Sequence, residues 1–122
     1  YYAGRGTSRD HTKGFEWLTK SAEQGNSRAM YWLASCYELG WGCDRNDNKA
    51  VEWFEKGASL GSSDAMYDLG DIYRDGDLGL TKDLNKAREW YTKAAAQGND
   101  EAQDALDELD ELNENNDDDS DY

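Results

Sequence analysis

Lys86 to Asn99 (KAREWYTKAAAQGN), Lys49 to Ser62 (KAVEWFEKGASLGS) and Lys13 to Asn26 (KGFEWLTKSAEQGN) are three versions of one sequence segment. Their tryptophans stand 36 and 37 residues apart, and each is followed three residues later by a lysine and eight residues later by a glycine. Self-similarity with a period between about 20 and 50 residues is typical of stacked supersecondary units that bury their apolar faces against one another. The repeat therefore predicts a stack of similar units.

A second segment alternates with the first, in Ala29 to Gly42 and again in Ala65 to Gly79, with Ala, Leu and Tyr at i, i+4 and i+8. In the first segment, apolar or small residues recur at i, i+3, i+4, i+7 and i+8. Both spacings indicate amphipathic helices and not strands. Glycines follow each segment where a helix end or a tight turn favours a left-handed residue. Each unit is predicted to be an antiparallel helical hairpin with its tryptophan, Trp17, Trp53 or Trp90, in the core.

The two segments resemble the Sel-one-like repeat, whose units read A-x-x-x-L-G-x-x-Y-x-x-G-x-G and then K-A-x-x-W-[YF]-x-K-A-A-x-Q-G-N. Lys86 to Asn99 matches the second half at nearly every position, and the resemblance extends from Tyr1 to about Leu112. The related tetratricopeptide repeat has a period of about 34 residues and typically a proline, whereas this chain has no proline. The resemblance implies an all-α fold, a right-handed α-α superhelix (solenoid) of about three and a half helical hairpins.

The repeat divides the chain into five parts. We expect a partial repeat at 1–26, complete repeats at 27–62 and 63–99, a terminal capping helix at 100–112 and an acidic tail at 113–122. Shifting the pattern back by one repeat places Gly4 and Gly6 on Gly40 and Gly42, so a hairpin turn is predicted near Gly4, with the chain starting mid-repeat. A missing first helix would leave Trp17 and Leu18 exposed. The tail has too few apolar residues to fold on its own and is predicted to be disordered.

Composition limits the classes of partner. With 27 acidic and 13 basic residues the net charge is −14, which argues against nucleic acids and anionic membranes because phosphate binding needs a cationic surface. No apolar run is long enough to span a bilayer. Cys36 and Cys43 are interpreted either as small core residues or as a disulfide, which would indicate an extracytoplasmic compartment. Some secreted members of the family that the chain resembles do staple their hairpins with disulfides.

Catalytic signals are weak. His11 is the only histidine and is predicted to be a solvated turn residue, with no nucleophile or metal motif beside it. Gly4-x-Gly6 and Gly40-x-Gly42 follow predicted helices instead of strands, so they are interpreted as turns and not phosphate loops. The acidic run at 117–121 lacks the ligand spacing of a calcium loop. We predict no catalytic residue, no metal site and no cofactor.

One constellation suggests a binding surface. Asp64, Asp68, Asp71 and Asp75 are spaced 4, 3 and 4 residues apart, which places their carboxylates on one helical face where they repel one another. A solvated acidic face is the plain interpretation. The resemblance implies instead that first helices line a concave face that binds proteins, with Trp32 and Ser35 at matching positions one repeat earlier and Trp41 in the neighbouring turn. The alternative for Trp32 is packing on a neighbouring first helix, and the alternative for Trp41 is packing over its own turn.

The sequence therefore predicts a non-enzymatic module that binds another, basic protein on its concave acidic face. The family resemblance allows a bacterial immunity protein that neutralises a toxin or secreted effector, or an adaptor segment of a larger protein in quality control or signalling. A structural spacer and an acid-dependent hydrolase that uses Asp64 and Asp68 are the alternatives from other classes.

Overall fold

The computed structural model of the chain describes the backbone of residues 4–120 and the side chains of residues 11–111. That part of the chain is entirely helical apart from its turns, which confirms the predicted all-α class. Its six helices are α1 (Gly4–Glu23), α2 (Ser27–Leu39), α3 (Asp47–Ser59), α4 (Ser63–Asp75), α5 (Leu84–Ala96) and α6 (Asp100–Ser120).

The helix boundaries follow from the capping residues. The Asn26 side chain accepts hydrogen bonds from the backbone N–H groups of Arg28 and Ala29 at the start of α2, and the Asp83 side chain accepts one from Lys86 at the start of α5. Such caps satisfy amide groups that have no partner inside the helix. Gly40 and Gly76 end α2 and α4 with φ values of 70° and 72°, which only glycine adopts without cost.

Helices pair and stack in chain order. α2 packs on α3 and α4 packs on α5 as the two hairpins, and each helix also contacts the next one along the chain. α2 additionally contacts α4, the corresponding helix of the next repeat. Because each unit touches mainly its neighbours, the core is a continuous strip through the stack, as the solenoid prediction requires. The largest fully buried side chains are Leu33, Phe54, Leu69, Tyr91 and Leu109.

The repeated tryptophans are less buried than the sequence suggested. Trp53 and Trp90 are half-buried, and the ammonium groups of Lys56 and Lys93 lie 4.5 Å and 4.7 Å from the centres of their rings. Trp17 is 74% exposed, so the prediction that it lies in the core is wrong.

The residue after each of these tryptophans explains the difference. Phe54 and Tyr91, which directly follow Trp53 and Trp90, are fully buried at the centre of the apolar stripe. The tryptophans lie on its flank, where the rings are covered only partly by a neighbouring helix and by lysine stems. Trp17 has no such neighbour among the described residues.

The helices at the two ends, α1 and α6, extend further than the sequence pattern suggested. Gly4 and Gly6 lie inside α1, so no hairpin turn forms there, and His11 is a helical residue instead of a turn residue. In the complete repeats the turn reverses the chain between two packed helices, whereas no described helix precedes α1. Within α1 the continued helix satisfies the backbone hydrogen bonds locally.

At the other end, α6 continues beyond the predicted boundary at residue 112 and runs to Ser120. The acidic segment therefore extends the capping helix instead of forming a separate disordered tail. A helix that is already nucleated by a packed face lengthens at little cost, because each added residue gains a hydrogen bond. None of the described helices is long and apolar enough to cross a membrane.

Candidate functional site

The four predicted aspartates do not form one exposed stripe. Asp68, Asp71 and Asp75 line a pocket of about 210 Å³ together with Glu38 of α2 and Asp77 of the turn after α4. We call this the acidic pocket. Asp64 lies outside it, exposed in the first turn of α4, where a negative charge interacts favourably with the helix dipole.

Asp68 is the most perturbed group of the acidic pocket. Burial, and to a smaller degree the neighbouring carboxylates of Asp71, Glu38, Asp64 and Glu101, together raise the pKa of its carboxyl from 3.8 to about 7. Loss of hydration and like-charge repulsion both disfavour the ionised form. Near neutral pH this carboxyl is therefore divided between its protonated and ionised states.

The carboxylate of Asp71, unlike that of Asp68, has two partners that stabilise its charge. The Tyr91 hydroxyl of α5 donates a hydrogen bond to its carboxylate, and a guanidinium nitrogen of Arg74 lies 3.6 Å from it. Burial nevertheless raises the pKa of Asp71, against the opposing effects of Tyr91 and Arg74. Arg74 also pairs with Asp75 at 3.2 Å. Arg74 thus offsets part of the negative charge of the pocket through Asp71 and Asp75. It makes no ion pair with Asp68.

Glu38 and Asp77 are pocket residues that the sequence analysis did not select. Burial is the largest cause of the raised pKa of Glu38, followed by the nearby charge of Asp77. Glu38 belongs to α2, so only the packing of α2 on α4 reveals that it faces the aspartates. Asp77 stands at the repeat position of Trp41. The alignment of these two turn residues was the sequence signal that could have identified Asp77.

The other predicted partner-binding residues, Trp32, Ser35 and Trp41, lie together in a different place. They line a groove of about 760 Å³ between α1 and α2, along with Gly14, and we call it the end groove. Its remaining lining residues are Trp17, Leu18, Cys36 and Leu39. None of these side chains is charged, so the groove is apolar where the neighbouring repeat has its acidic pocket.

Trp32 and Trp41 both reach solvent, with 52% and 36% of their surfaces exposed. Trp32 packs edge-on against the ring of Tyr31 at 5.0 Å, and Trp41 stacks on His11 at 4.4 Å. The turn that holds Trp41 fits closely on α1, because a Cβ atom at Gly42 would lie 2.2 Å from the His11 carbonyl oxygen. Trp32 therefore packs on Tyr31 and Trp41 packs on His11, and each ring still presents a face to the groove.

Cys36 and Cys43 are free thiols in the structure, Cys36 buried and Cys43 partly exposed. The Cys43 thiol lies 3.6 Å from the Cys36 carbonyl oxygen, and burial raises the pKa of the Cys36 thiol to about 11. Neither residue is bridged in the structure, and the choice between small core residues and a disulfide stays a prediction. A mass measurement with and without reductant tests the pairing in the isolated protein.

No catalytic constellation is visible among residues 11–111. The ring of His11 stacks on that of Trp41. Among the described side chains, no group of three or more His, Cys, Asp or Glu residues is arranged to hold a metal ion.

Comparison with protein-family models matches the Sel1 repeat at residues 1–26, 27–62 and 63–99. The chain therefore belongs to the Sel1 repeat family, whose members generally mediate protein–protein interactions on a typically non-catalytic scaffold. A search of curated proteins gave no match.

Three solved structures illustrate the similarity. A protective antigen of uropathogenic Escherichia coli strains, which displays an SLR fold, is 38% identical with a TM-score of 0.68 over 72% of this chain. A Sel1 repeat protein from Oxalobacter formigenes is 32% identical, with a TM-score of 0.73 over 76% of the chain. The cysteine-rich protein B of Helicobacter pylori is 26% identical, with a TM-score of 0.71 over 75% of the chain.

The matched region is only part of two of these relatives. It covers 19% of the E. coli protein and 27% of the O. formigenes protein, but 68% of the H. pylori protein. All three confirm the stacked helical-hairpin architecture.

Proposed function

We propose that the chain is a non-enzymatic protein-binding module whose acidic pocket receives a lysine or arginine side chain of its partner. The observation that carries the proposal is a cluster of five carboxyl groups gathered from two helices and a turn. Glu38, Asp68 and Asp71 are partly buried, and Asp75 and Asp77 are exposed at its rim. Its charge is only partly offset by Arg74.

A cation in the pocket would relieve the repulsion between carboxylates that remains in the folded protein. The ionised form of Asp68 is disfavoured by burial and by the carboxylates around it. A partner ammonium or guanidinium group would favour that form and add a charge-assisted hydrogen bond, worth about 1.5–3 kcal/mol. Binding would then release a proton from Asp68 near neutral pH, since the carboxyl is partly protonated beforehand.

The overall charge supports the same partner chemistry. A net charge of −14 attracts a basic protein at long range and raises its association rate, more strongly at low salt. The family provides the general role, since Sel1 repeats bind other proteins.

A pair of isosteric double variants tests the acidic pocket. Asp68→Asn with Asp75→Asn removes two pocket charges and leaves the bond between Asp71 and Tyr91 intact. Glu52→Gln with Glu55→Gln removes two charges from exposed positions on α3 and serves as the control. We expect the pocket variant to bind the partner captured from source cells at least about tenfold more weakly at low salt. The control variant should lose much less.

Equal binding by the wild type and the pocket variant would overturn the acidic-pocket assignment and favour a structural spacer. Circular dichroism and thermal unfolding establish beforehand that both variants are folded.

A narrower form of the proposal is an immunity or inhibitor protein that occupies the cationic cleft of a toxin or secreted effector. The strong negative charge favours this form over an adaptor, because charge complementarity raises the association rate that a neutralising protein needs. Co-expression of the captured partner with and without the chain tests it. Protection of the cells that is lost in the pocket variant would support neutralisation, and unchanged growth in all strains would leave the adaptor role.

A further inference from the structure

Arg74 is shared between two neighbouring spaces on the surface of the stack. Its guanidinium pairs with Asp71 and Asp75 of the acidic pocket, at 3.6 Å and 3.2 Å. The same side chain lines a second space of about 170 Å³ between α4 and α6. We call this the α6 crevice, and it is lined by Tyr67, Arg74, Glu101, Asp104, Ala105 and Glu108. Arg74 therefore lies at the boundary of two spaces that are both rich in carboxylates.

The α6 crevice is the repeat counterpart of the acidic pocket. Moving 36 residues along the chain takes Glu38, which α2 contributes to the acidic pocket, to Arg74, which α4 contributes to the α6 crevice. Moving 37 residues takes Asp71 to Glu108. Each space is thus lined by corresponding helices of consecutive units, α2 with α4 or α4 with α6. The α6 crevice has a cation where the acidic pocket has a carboxylate.

The carboxylates of α6 in this crevice have no cation of their own. Among residues 11–111, Glu101, Asp104 and Glu108 form no ion pair. Burial is the main cause of the raised pKa of Tyr67, and among the charges that act on it Glu101 raises the pKa while Arg74 lowers it. The guanidinium and the α6 carboxylates therefore share one neighbourhood. The direction of the arginine side chain decides which carboxylates it neutralises.

A cation that enters the acidic pocket competes with Arg74. The carboxylates of Asp71 and Asp75 attract it, and the guanidinium beside them repels it. The Arg74 side chain is long and 33% exposed, so it can adopt another rotamer without disturbing the core. In the α6 crevice the guanidinium would meet carboxylates without a cation, and the loss of its present ion pairs would be offset there.

We propose that Arg74 is a built-in competitor, which pairs with the acidic pocket in the free protein and turns into the α6 crevice when a partner's lysine or arginine binds. This inference rests on the proposed function and adds a regulatory step at the same site. Because a ligand favours the state to which it binds more tightly, filling of the acidic pocket shifts Arg74 towards α6. Arg74 thereby lowers the affinity of the pocket for any cation, so that only a partner held by further contacts displaces it.

An acetylated and amidated tetralysine peptide is the probe, titrated at low salt into the complete chain and followed by NMR. The backbone amide signals of Asp68 and Asp71 report on the acidic pocket. We expect Arg74→Gln, which removes the competitor, to tighten tetralysine binding there about threefold to tenfold. Arg88→Gln is the matched control, because Arg88 pairs with Asp110 outside both spaces. It should change the affinity by less than about twofold.

A double-variant cycle tests the movement towards α6. Glu101→Gln with Glu108→Gln removes two carboxylates from the α6 crevice and so removes the destination of Arg74. This pair should weaken tetralysine binding at least about threefold more in the chain with Arg74 than in Arg74→Gln, because the general loss of negative charge is the same in both. The Nε–H signal of Arg74 should also shift at saturation, since its hydrogen bond to Asp75 is broken.

Tetralysine binding to Arg74→Gln that is no tighter than to the wild type would overturn the inference. Equal weakening by the α6 variants with and without Arg74, or an unchanged Arg74 Nε–H signal at saturation, would overturn it as well. Failure of the proposed function looks different. In that case Asp68→Asn with Asp75→Asn would bind tetralysine as the wild type does, and both proposals would be wrong. If this pair weakens binding but Arg74→Gln does not tighten it, the acidic pocket stands and only the role of Arg74 is wrong.

Discussion

Asp68 and Trp32 occupy the same position in adjacent repeats, 36 residues apart, yet one helps to form an acidic pocket and the other an apolar groove. Positions that face the next helix within the stack, such as Leu33 and Leu69, keep their residue type because packing constrains them. Positions on the outer face of the same helix are free of that constraint. At the scale of the residue, this freedom lets the two sites differ in their chemistry.

The raised pKa of Asp68 makes stability depend on pH. Because the folded protein disfavours its charged form, the favourable contribution is fully present below the unfolded pKa of about 4 and is lost as the pH rises through about 7. Asp68→Asn should flatten the decline in unfolding free energy between about pH 4 and 7, and should be more stable than the wild type at the upper end by on the order of 1–2 kcal/mol.

Urea unfolding at several pH values measures this effect. Glu52→Gln, which removes a carboxyl at an exposed position on α3, is the control and should keep the wild-type slope. The same slope in Asp68→Asn and in the wild type would show that Asp68 is ionised freely in the folded protein. Glu38 and Asp71 also have raised pKa values, so part of the slope should remain.

Gly70 is required by a close approach between helices. A Cβ atom there would lie 2.5 Å from the ring of Tyr91, which is fully buried and cannot move aside. We expect Gly70→Ala to destabilise the protein by about 1–3 kcal/mol despite the better helix propensity of alanine. Gly14→Ala is the matched test, because its Cβ would meet the tip of Trp41, which is partly exposed and can shift. Thermal unfolding should rank Gly14→Ala clearly above Gly70→Ala, and equal melting temperatures would contradict this interpretation.

At the scale of the element, each helix is defined by its capping residues and by one apolar stripe. α6 shows how a stripe can serve a terminal helix, since its inner face has Ala102, Ala105 and Leu109 buried and its outer face is acidic. Such a helix covers the end of the core and presents a surface that water solvates well. The end groove, at the other side of the stack, has no equivalent cover among the described residues.

Leu109 should therefore contribute strongly to stability. It is 2% exposed and belongs to the main core cluster, so Leu109→Ala removes buried methyl groups and leaves a cavity. We expect a loss of about 2–4 kcal/mol in unfolding free energy, measured by chemical denaturation. Leu60→Ala, at a position that is 57% exposed, should change it by less than about 0.5 kcal/mol. Similar losses in both variants would mean that α6 is not docked.

At the scale of the whole molecule, equivalent residues differ in energy because they differ in their place within the stack. Trp17 and Trp53 have the same sequence surroundings, but Trp53 has α2 beside it and belongs to the core cluster. Trp17 lines the open groove instead. The stack, and not the repeat motif, therefore determines what each tryptophan does.

Alanine substitution should reveal this difference. Trp53→Ala should cost about 1–3 kcal/mol of unfolding free energy, because a half-buried ring loses its contacts. Trp17→Ala should cost less than about 0.5 kcal/mol. Equal destabilisation by both, in urea titrations, would show that Trp17 is covered in solution.

The sequence by itself determined the repeat, the helical hairpins, their capping residues and the all-α class, because helix periodicity and capping depend on neighbours within about one helical turn. Seven residues were predicted from the sequence to bind a partner, and six of them line one of the two sites. Asp64 is the one that lies outside both. These residues are visible as outer-face positions of a helix, which sequence spacing specifies directly.

Only the tertiary structure decided that these residues form two sites, that Glu38 joins the aspartates from another helix, and that Trp17 is exposed while Phe54 and Tyr91 are buried. The physical reason is that burial and charge repulsion depend on distances across the stack. Those distances are set by how neighbouring helices pack, which the spacing of residues along one helix does not encode.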